Sequence, residues 1–385
     1  MIMKKTNYLY MTNSKFRYEC IICESSKIKT IIELQKMPVF MGANKGVSDE
    51  YSDMTFQSCS ECGNVQIKEI IDPSILYLDN HNIDTVGNIW NQHYIEFSEF
   101  AKNEIIDKNV LEIGDPSYKI SSYISNDSKK WNIVEINPNF KIQKPEKVNI
   151  IKKYFDDKFE INEQIDVVIH SHVLEHISDP IRHLKFIFNI LKKDGKLIFS
   201  IPNLNEILKQ KGSPNSALHF EHTYFYTEQT MSQILTKYGF EIDEIKKYEN
   251  HSLFFKCSKK HQKDIQIKND DNISKLFIES KAFYENKVKQ ANEIIKYKSN
   301  VYLYGCHVSS QFIINIGLNT KNIKYILDNS KSKDNYKLYG TDLTTKQPSI
   351  LENEDSPIVI LFHTGIYSSE IIEQLKKMNK SIIFI

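Results

Sequence analysis

The sequence predicts an α/β protein built on a doubly wound, mostly parallel sheet, and three stretches carry that prediction. Val110-Leu111-Glu112-Ile113-Gly114 is a short apolar run ending in Gly, as a buried parallel strand does on entering a tight turn. Trp131-Asn132-Ile133-Val134-Glu135 is a second apolar run that closes on a carboxylate. Ile165-Asp166-Val167-Val168-Ile169-His170 is a third, followed by Ser171-His172-Val173-Leu174-Glu175-His176-Ile177-Ser178-Asp179-Pro180. Strands alternating with helices imply a parallel sheet whose ligands bind at the carboxyl ends of the strands. An acid at the tip of the second strand, here Glu135, is placed to accept both hydroxyls of a bound ribose.

The chain has 385 residues, long enough for two or three domains, each with its own core. Three are expected: residues 1–75, 76–260 and 261–385. Lys plus Arg number 50 and Asp plus Glu 49, so no net field favours nucleic acid or an anionic membrane. No signal peptide stands out, nor any apolar span of the roughly 18 residues that a membrane helix needs. Four of the six cysteines fall in two paired CxxC units, which argues for metal over disulfides in a reducing compartment. The cytoplasm is the expected location, and a monomer the default expectation.

Residues 1–75 read as a metal module. Cys20-Ile21-Ile22-Cys23 and Cys59-Ser60-Glu61-Cys62 can each turn two thiolates toward one ion. Four thiolates close a tetrahedral zinc site with no open position, so the metal is structural. Met37 to Asn44 reads as an apolar turn. In residues 76–109, Trp90, His93, Tyr94, Phe97 and Phe100 make an aromatic stripe at helical spacing, which reads as core packing. Asn103 to Lys108 then ends that helix.

Val148 to Ile151 is a further apolar run, followed by Phe155-Asp156-Asp157. Ile181 to Lys192 has helical periodicity and runs into the turn Lys192-Lys193-Asp194-Gly195. Lys196 to Asn203, Phe240 to Ile245 and Leu253 to Cys257 supply more strands, and Thr227 caps a helix through Tyr238. His219-Phe220-Glu221-His222-Thr223-Tyr224-Phe225-Tyr226-Thr227 concentrates the reactive side chains. A His with a pKa near operating pH suits a base, and an adjacent Glu can orient it. His261 to Asp271 is a polar linker. A helix from Ile273 to about Lys298 leads into Val301 to Cys306, Ile323 to Ser330, Ile358 to Phe362 and Ser381 to Ile385, a second, smaller parallel sheet. It lacks a ribose acid paired with a GxGxxG turn, so no second dinucleotide site is expected.

The block from Val110 to Asp179 resembles the class I S-adenosylmethionine-dependent methyltransferases, whose first strand carries a pattern like V-L-E-I-G-x-G-x-G and whose fourth-strand motif includes Leu-Glu-His. Here Asp115-Pro116-Ser117-Tyr118 follow Gly114, so the later glycines are missing. The resemblance implies a cofactor site of Glu112, Gly114, Glu135, Asp156, His172 and Glu175. Glu135 would hold the ribose, and Glu175 with His176 would form the floor under the methionine part. Asp156 would approach the adenine or stay solvated, and His172 could equally be a satisfied sheet-edge residue.

A four-cysteine module ahead of such a domain is similar to the sugar C-methyltransferases that act on nucleotide-linked deoxysugars. Their second knuckle runs on as C-G-L-V-Q, and Cys62-Gly63-Asn64-Val65-Gln66 follows it. Their Y-H-E-H and Y-F-S run aligns Glu221-His222 and Tyr224-Phe225, with Phe220 in place of the His before Glu. Their tail motifs, G-x-G-A and D-x-x-x-x-K-x-G, are followed loosely by Tyr304-Gly305-Cys306-His307 and by Asp328 to Lys331 with Lys337 to Gly340. What this implies is a cytoplasmic S-adenosylmethionine-dependent methyltransferase with a structural zinc and a nucleotide-linked sugar as partner, and no nucleic acid or membrane. Carbon is the favoured acceptor atom, with oxygen or nitrogen as alternatives. His222, Glu221 and Tyr224 would be catalytic; His93, Tyr304, His307 and Lys331 would contact substrate or, alternatively, pack. Tyr77 and Tyr94 are further candidates to line the acceptor pocket. Two rival readings are a cofactor-binding scaffold without turnover and a zinc-ribbon methyltransferase acting on nucleic acid.

Overall fold

Apolar runs at residues 109–113, 130–134, 148–151, 165–171 and 191–202 become five parallel strands of one seven-stranded sheet. The computed structural model describes residues 9–10, 15–76, 88–139, 141–156, 158–211, 217–362 and 368–385; Tyr77 and Asp157 lie outside them. In space the order is Val148–Ile151, Lys130–Val134, Asn109–Ile113, Ile165–Ser171, Leu191–Pro202, Ser252–Lys259 and Phe240–Tyr248. Ser252–Lys259 runs antiparallel to both of its neighbours, so the sheet is mixed. The winding reverses between Asn109–Ile113 and Ile165–Ser171, where a ligand crevice opens in such sheets.

Both faces of the sheet are covered. Val110, Trp131, Val167 and Ile169 pack on one side with Phe97 and Phe100. Leu111, Ile113, Val168 and Phe199 pack on the other with Leu184 and Ile187. Helix Asn88–Ile105 supplies the first cover through His93, Phe97, Phe100, Ala101 and Ile105, the aromatic stripe seen in the sequence. Helix Pro180–Ile190 supplies the second; Asp179 caps it by accepting the Arg182 amide at 3.0 Å, with Pro180 in the first turn. Thr227 caps helix Glu228–Lys237 in the same way, accepting the Thr230 amide at 3.0 Å.

Two local expectations change. The turn expected at Lys192 to Gly195 is a bulge inside strand Leu191–Pro202: Ile165 pairs with Leu191, and pairing resumes at Val167 with Lys196. Met37 to Asn44 is only partly a turn. Strand Ile28–Pro38 ends there, and Ala43–Asn44 forms a short strand against Lys337–Leu338 of the far end of the chain. The apolar residues between, Val39, Phe40 and Met41, are buried, and the Phe40 ring lies 5.6 Å from that of Tyr339.

Strand Ile28–Pro38 pairs antiparallel with Glu50–Cys59, which pairs in turn with Val65–Ile67. Helix Asn272–Ile295 leads to five parallel strands ordered Thr345–Lys346, Ile323–Leu327, Val301–Tyr304, Ile358–Ile360 and Ile383–Phe384. The two ends of the chain share one core. Phe56 and Ile67 of the N-terminal unit bury with Phe225, Phe277, Phe312, Ile326 and Leu338.

Candidate active site

The crevice begins at Gly114, whose positive φ of 74° turns the chain out of its strand. A Cβ here would lie 2.8 Å from Val173 Cγ2, so the close approach itself requires glycine. The third glycine position of the methyltransferase pattern is held by Tyr118, and its backbone is still left-handed, at φ 56°. Two devices hold that strained turn without glycine. The Tyr118 ring is buried, and Asp115 accepts the amides of Ser117 at 3.0 Å and Ile120 at 3.2 Å.

Glu112 does not face the crevice. It is fully enclosed, its Oε2 accepts Trp131 Nε1 at 2.7 Å, and burial beside Asp115 raises its carboxyl well above the usual range. It supports the turn from below, which corrects its expected cofactor contact. Glu135 does stand at the end of strand Lys130–Val134, with Oε1 accepting the Asn137 amide at 2.7 Å; its carboxyl is raised, chiefly by burial. Asp156 is exposed and accepts the Lys158 amide at 2.9 Å, the solvated alternative.

Beyond strand Ile165–Ser171, His172 adopts a left-handed φ of 51° and opens the turn that carries Leu174–His176. Glu175 is 3 % exposed, and burial lifts its carboxyl to about 7, opposed by nearby His222. His172 Nδ1 lies 3.2 Å from Glu175 Oε1, yet neither carboxylate oxygen has an aligned hydrogen-bond donor. The loop expected to hold the chemistry packs onto this turn. The rings of His176 and His222 are 4.6 Å apart, those of His219 and His222 4.1 Å, and His176 Nδ1 is 3.7 Å from Glu221 Oε2. Three imidazoles and two carboxylates therefore meet in one cluster at the carboxyl edge of the sheet, buried except for the half-buried His176. Such a group can take up, hold and hand on a proton.

Backbone pairing fixes the loop. Tyr224–Phe225 forms a strand antiparallel to Val65–Ile67, so the loop is an added edge of the N-terminal sheet. The Thr223 amide donates to Glu175 O at 3.1 Å, and Ile67 N donates to Thr223 O at 3.0 Å. Tyr224 is buried, and its hydroxyl donates to Leu174 O at 2.7 Å. That corrects its expected catalytic role: the hydroxyl is committed to holding the two loops together.

His93 is another correction. It is fully buried, with Nε2 2.8 Å from Ser171 Oγ and Nδ1 3.1 Å from Ser252 Oγ. It offers no surface to a substrate, and its placement fits the core-packing reading. Ser252 Oγ also lies 2.8 Å from His172 Nε2 and 2.6 Å from His251 Nδ1, so the His93, His172 and His251 group is tied through one hydroxyl.

The four cysteines of the two knuckles converge. Cys20 and Cys62 sulfurs are 3.5 Å apart and those of Cys23 and Cys59 3.6 Å, with all four within 4.8 Å of one another. A tetrahedral zinc with thiolate bonds of standard length needs sulfur separations of about 3.8 Å, so the set fits that ion. In the C-terminal unit, Tyr304 and His307 are half-buried beside the turn at Gly305, whereas Lys331 is exposed. Sequence reasoning missed Lys333, which is buried and donates to Cys306 O and Asp328 Oδ2, both at 3.1 Å. The D-x-x-x-x-K spacing from Asp328 was the available signal. Arg17 and the positional part of Thr223 were missed with no local signal.

Residues 92–245 match the family described as a methyltransferase domain. No curated protein matches the chain. Among solved structures, N-methyltransferase NodS from Bradyrhizobium japonicum WM9 in complex with S-adenosyl-L-homocysteine is 11% identical with a TM-score of 0.37, over 47% of this chain and 92% of that one. An S-adenosylmethionine-dependent methyltransferase from Mesorhizobium loti is 10% identical, TM-score 0.35, over 42% and 95%. One from Thermotoga maritima is 18% identical, TM-score 0.36, over 45% and 92%.

Proposed function

We propose that this chain, which carries an S-adenosylmethionine-dependent methyltransferase domain over residues 92–245, methylates a nucleotide-activated sugar, with carbon the favoured acceptor atom and oxygen or nitrogen the alternatives. The observation that carries the reading is the Glu221–His222 loop packed on the Glu175–His176 turn at the carboxyl edge of the sheet. Bound S-adenosylmethionine would supply an electrophilic methyl group at its sulfonium. The residues that suit it are Glu135 for the ribose hydroxyls, Gly114 for close backbone approach and the buried Glu175 for the methionine end. His222 takes the proton that the acceptor loses, from a carbon beside a ketone or from a hydroxyl or amine. Glu221 orients His222 or a sugar hydroxyl, and zinc on Cys20, Cys23, Cys59 and Cys62 folds the unit that carries the loop. Tyr304, His307 and Lys331 are assigned to the nucleotide part of the acceptor, where the half-buried pair flanks a strand-to-helix turn of the kind that receives phosphate.

The test has two stages. Titration with S-adenosylhomocysteine should show binding that weakens by about 2 kcal/mol in Glu135→Ala, the scale of lost charge-assisted hydrogen bonds. A panel of nucleoside-diphosphate sugars, 4-keto-6-deoxy forms included, should then yield S-adenosylhomocysteine and a methylated product with at least one member. His222→Asn should lower that turnover by roughly 10² to 10⁴ while cofactor affinity holds. Binding without turnover across the panel favours the scaffold reading, and turnover on RNA or DNA alone favours the nucleic-acid reading.

A further inference from the structure

We propose that Arg17 is a positioning residue: its guanidinium staples the Glu221–His222 loop to both the N-terminal unit and the edge of the central sheet. The proposal rests on the reading of His222 as the base. Three separate segments send a carbonyl to this one side chain. Arg17 Nη1 donates to Thr223 O at 2.5 Å and to Ile67 O at 3.4 Å, and Nη2 donates to Ser178 O and to Thr223 Oγ1, the latter at 3.4 Å. Thr223 directly follows His222, Ser178 lies just past the Glu175–His176 turn, and Ile67 ends the strand that pairs with the loop. One planar cation therefore fixes the peptide next to the base relative to the two surfaces that form its pocket.

The anchor of Arg17 is itself firm. Its backbone amide donates to Lys68 O at 2.8 Å, and Lys15–Phe16 pairs with Glu69–Ile70. The titratable groups that face it are Tyr224, Asp179 and Cys20, none of them among its hydrogen-bond partners. Burial lowers the guanidinium only to about 10, so it stays protonated at neutral pH. Several donors in a rigid fork are what three converging carbonyls need. A Lys ammonium, a compact point charge on a flexible stem, keeps the charge but cannot reproduce that geometry. The contacts hold the loop from outside the pocket, so Arg17 acts through Thr223 and touches no reacting atom.

The test compares wild type with Arg17→Ala and Arg17→Lys. In Arg17→Ala, hydrogen exchange at the amides of Thr223 to Phe225 should quicken by about tenfold or more, and kcat on the acceptor found by the nucleotide-sugar panel should fall by about tenfold to a hundredfold, as small misplacements of a catalytic group do. S-adenosylhomocysteine affinity and acceptor KM should stay within about twofold, because ground-state binding is not what the staple serves. Arg17→Lys should fall between, and it carries the test if Arg17→Ala does not fold. Wild-type exchange and kcat in both variants would overturn the proposal. So would a loss of S-adenosylhomocysteine affinity matching the loss of kcat, which would mark general loosening. Failure of the wild type to bind S-adenosylhomocysteine would remove the methyltransfer reading, while exchange at Thr223 to Phe225 would still decide what Arg17 holds.

Discussion

Burial keeps the imidazoles of His93, His170, His172, His183 and His251 neutral, lowering His172 and His251 to about 3 and His183 to about 4. Each contributes stability that is complete above the unfolded value of about 6.5 and is lost as pH falls toward the folded value. Glu175 works the other way. With its carboxyl raised to about 7, its contribution is complete below the unfolded value and is lost as pH rises through the folded one. The raised carboxyls of Glu112, Asp115 and Glu135 act in the same direction as Glu175. The five imidazoles are therefore largely offset, and the thermal midpoint should climb only shallowly between about pH 4.5 and 6.5, each group contributing up to about 1.4 kcal/mol per pH unit. Glu175→Gln removes one of the opposing contributions, so its climb should be steeper than that of the wild type. Identical profiles for the two proteins would mean that Glu175 is ionised in the folded state throughout this range.

At the level of elements, the two knuckles and the loop strand form one piece. Gln66, which pairs with Tyr224, accepts the Ile21 amide at 2.9 Å and donates to Glu19 O at 2.8 Å, so the first knuckle sets the strand on which the loop is laid. The second knuckle is locked from the other side. Gly63 has a φ of 76°, and a Cβ there would lie 2.1 Å from Asp270 O, a backbone atom that cannot swing away. Gly63→Ala should therefore destabilise the protein by roughly 1–3 kcal/mol through a left-handed residue and a forced shift of the chain before helix Asn272–Ile295. Zinc content, measured on the purified variant, should match that of the wild type. Unchanged thermal stability would show that this segment yields freely.

Across the whole molecule, the N- and C-terminal units are not independent lobes. The rings of Phe56 and Phe277 lie 5.1 Å apart and those of Phe225 and Phe277 4.9 Å, in the core both units share. Tyr339 from the far end donates its hydroxyl to Ser48 O at 3.1 Å, and Gln311 reaches Phe40 O at 2.9 Å. Phe277→Ala should cost about 3–5 kcal/mol, the usual loss for a buried aromatic. Hydrogen exchange should then quicken together in strands Glu50–Cys59 and Ile323–Leu327. A response confined to helix Asn272–Ile295 would show that the units open separately.

What the sequence by itself determined is local or periodic. Strands of a parallel sheet covered on both faces are near-continuous apolar runs, so Val110 to Ile113 and Ile165 to Ile169 are legible without neighbours, each broken by a single acid. Asp179 and Thr227 cap helices through amides three residues away, and each CxxC knuckle brings its own pair of thiolates. Glu221, His222 and Glu175 were legible as reactive side chains, by type and by resemblance. Only the tertiary structure decided that Glu112 and His93 face inward, that Tyr224 spends its hydroxyl on Leu174 O, and that Tyr118 keeps a glycine's turn. It alone brought Arg17 to Thr223 and Ala43–Asn44 to Lys337–Leu338. Direction of burial and long-range pairing depend on what arrives from elsewhere in the chain, and no spacing within a single stretch encodes the surface that will meet it.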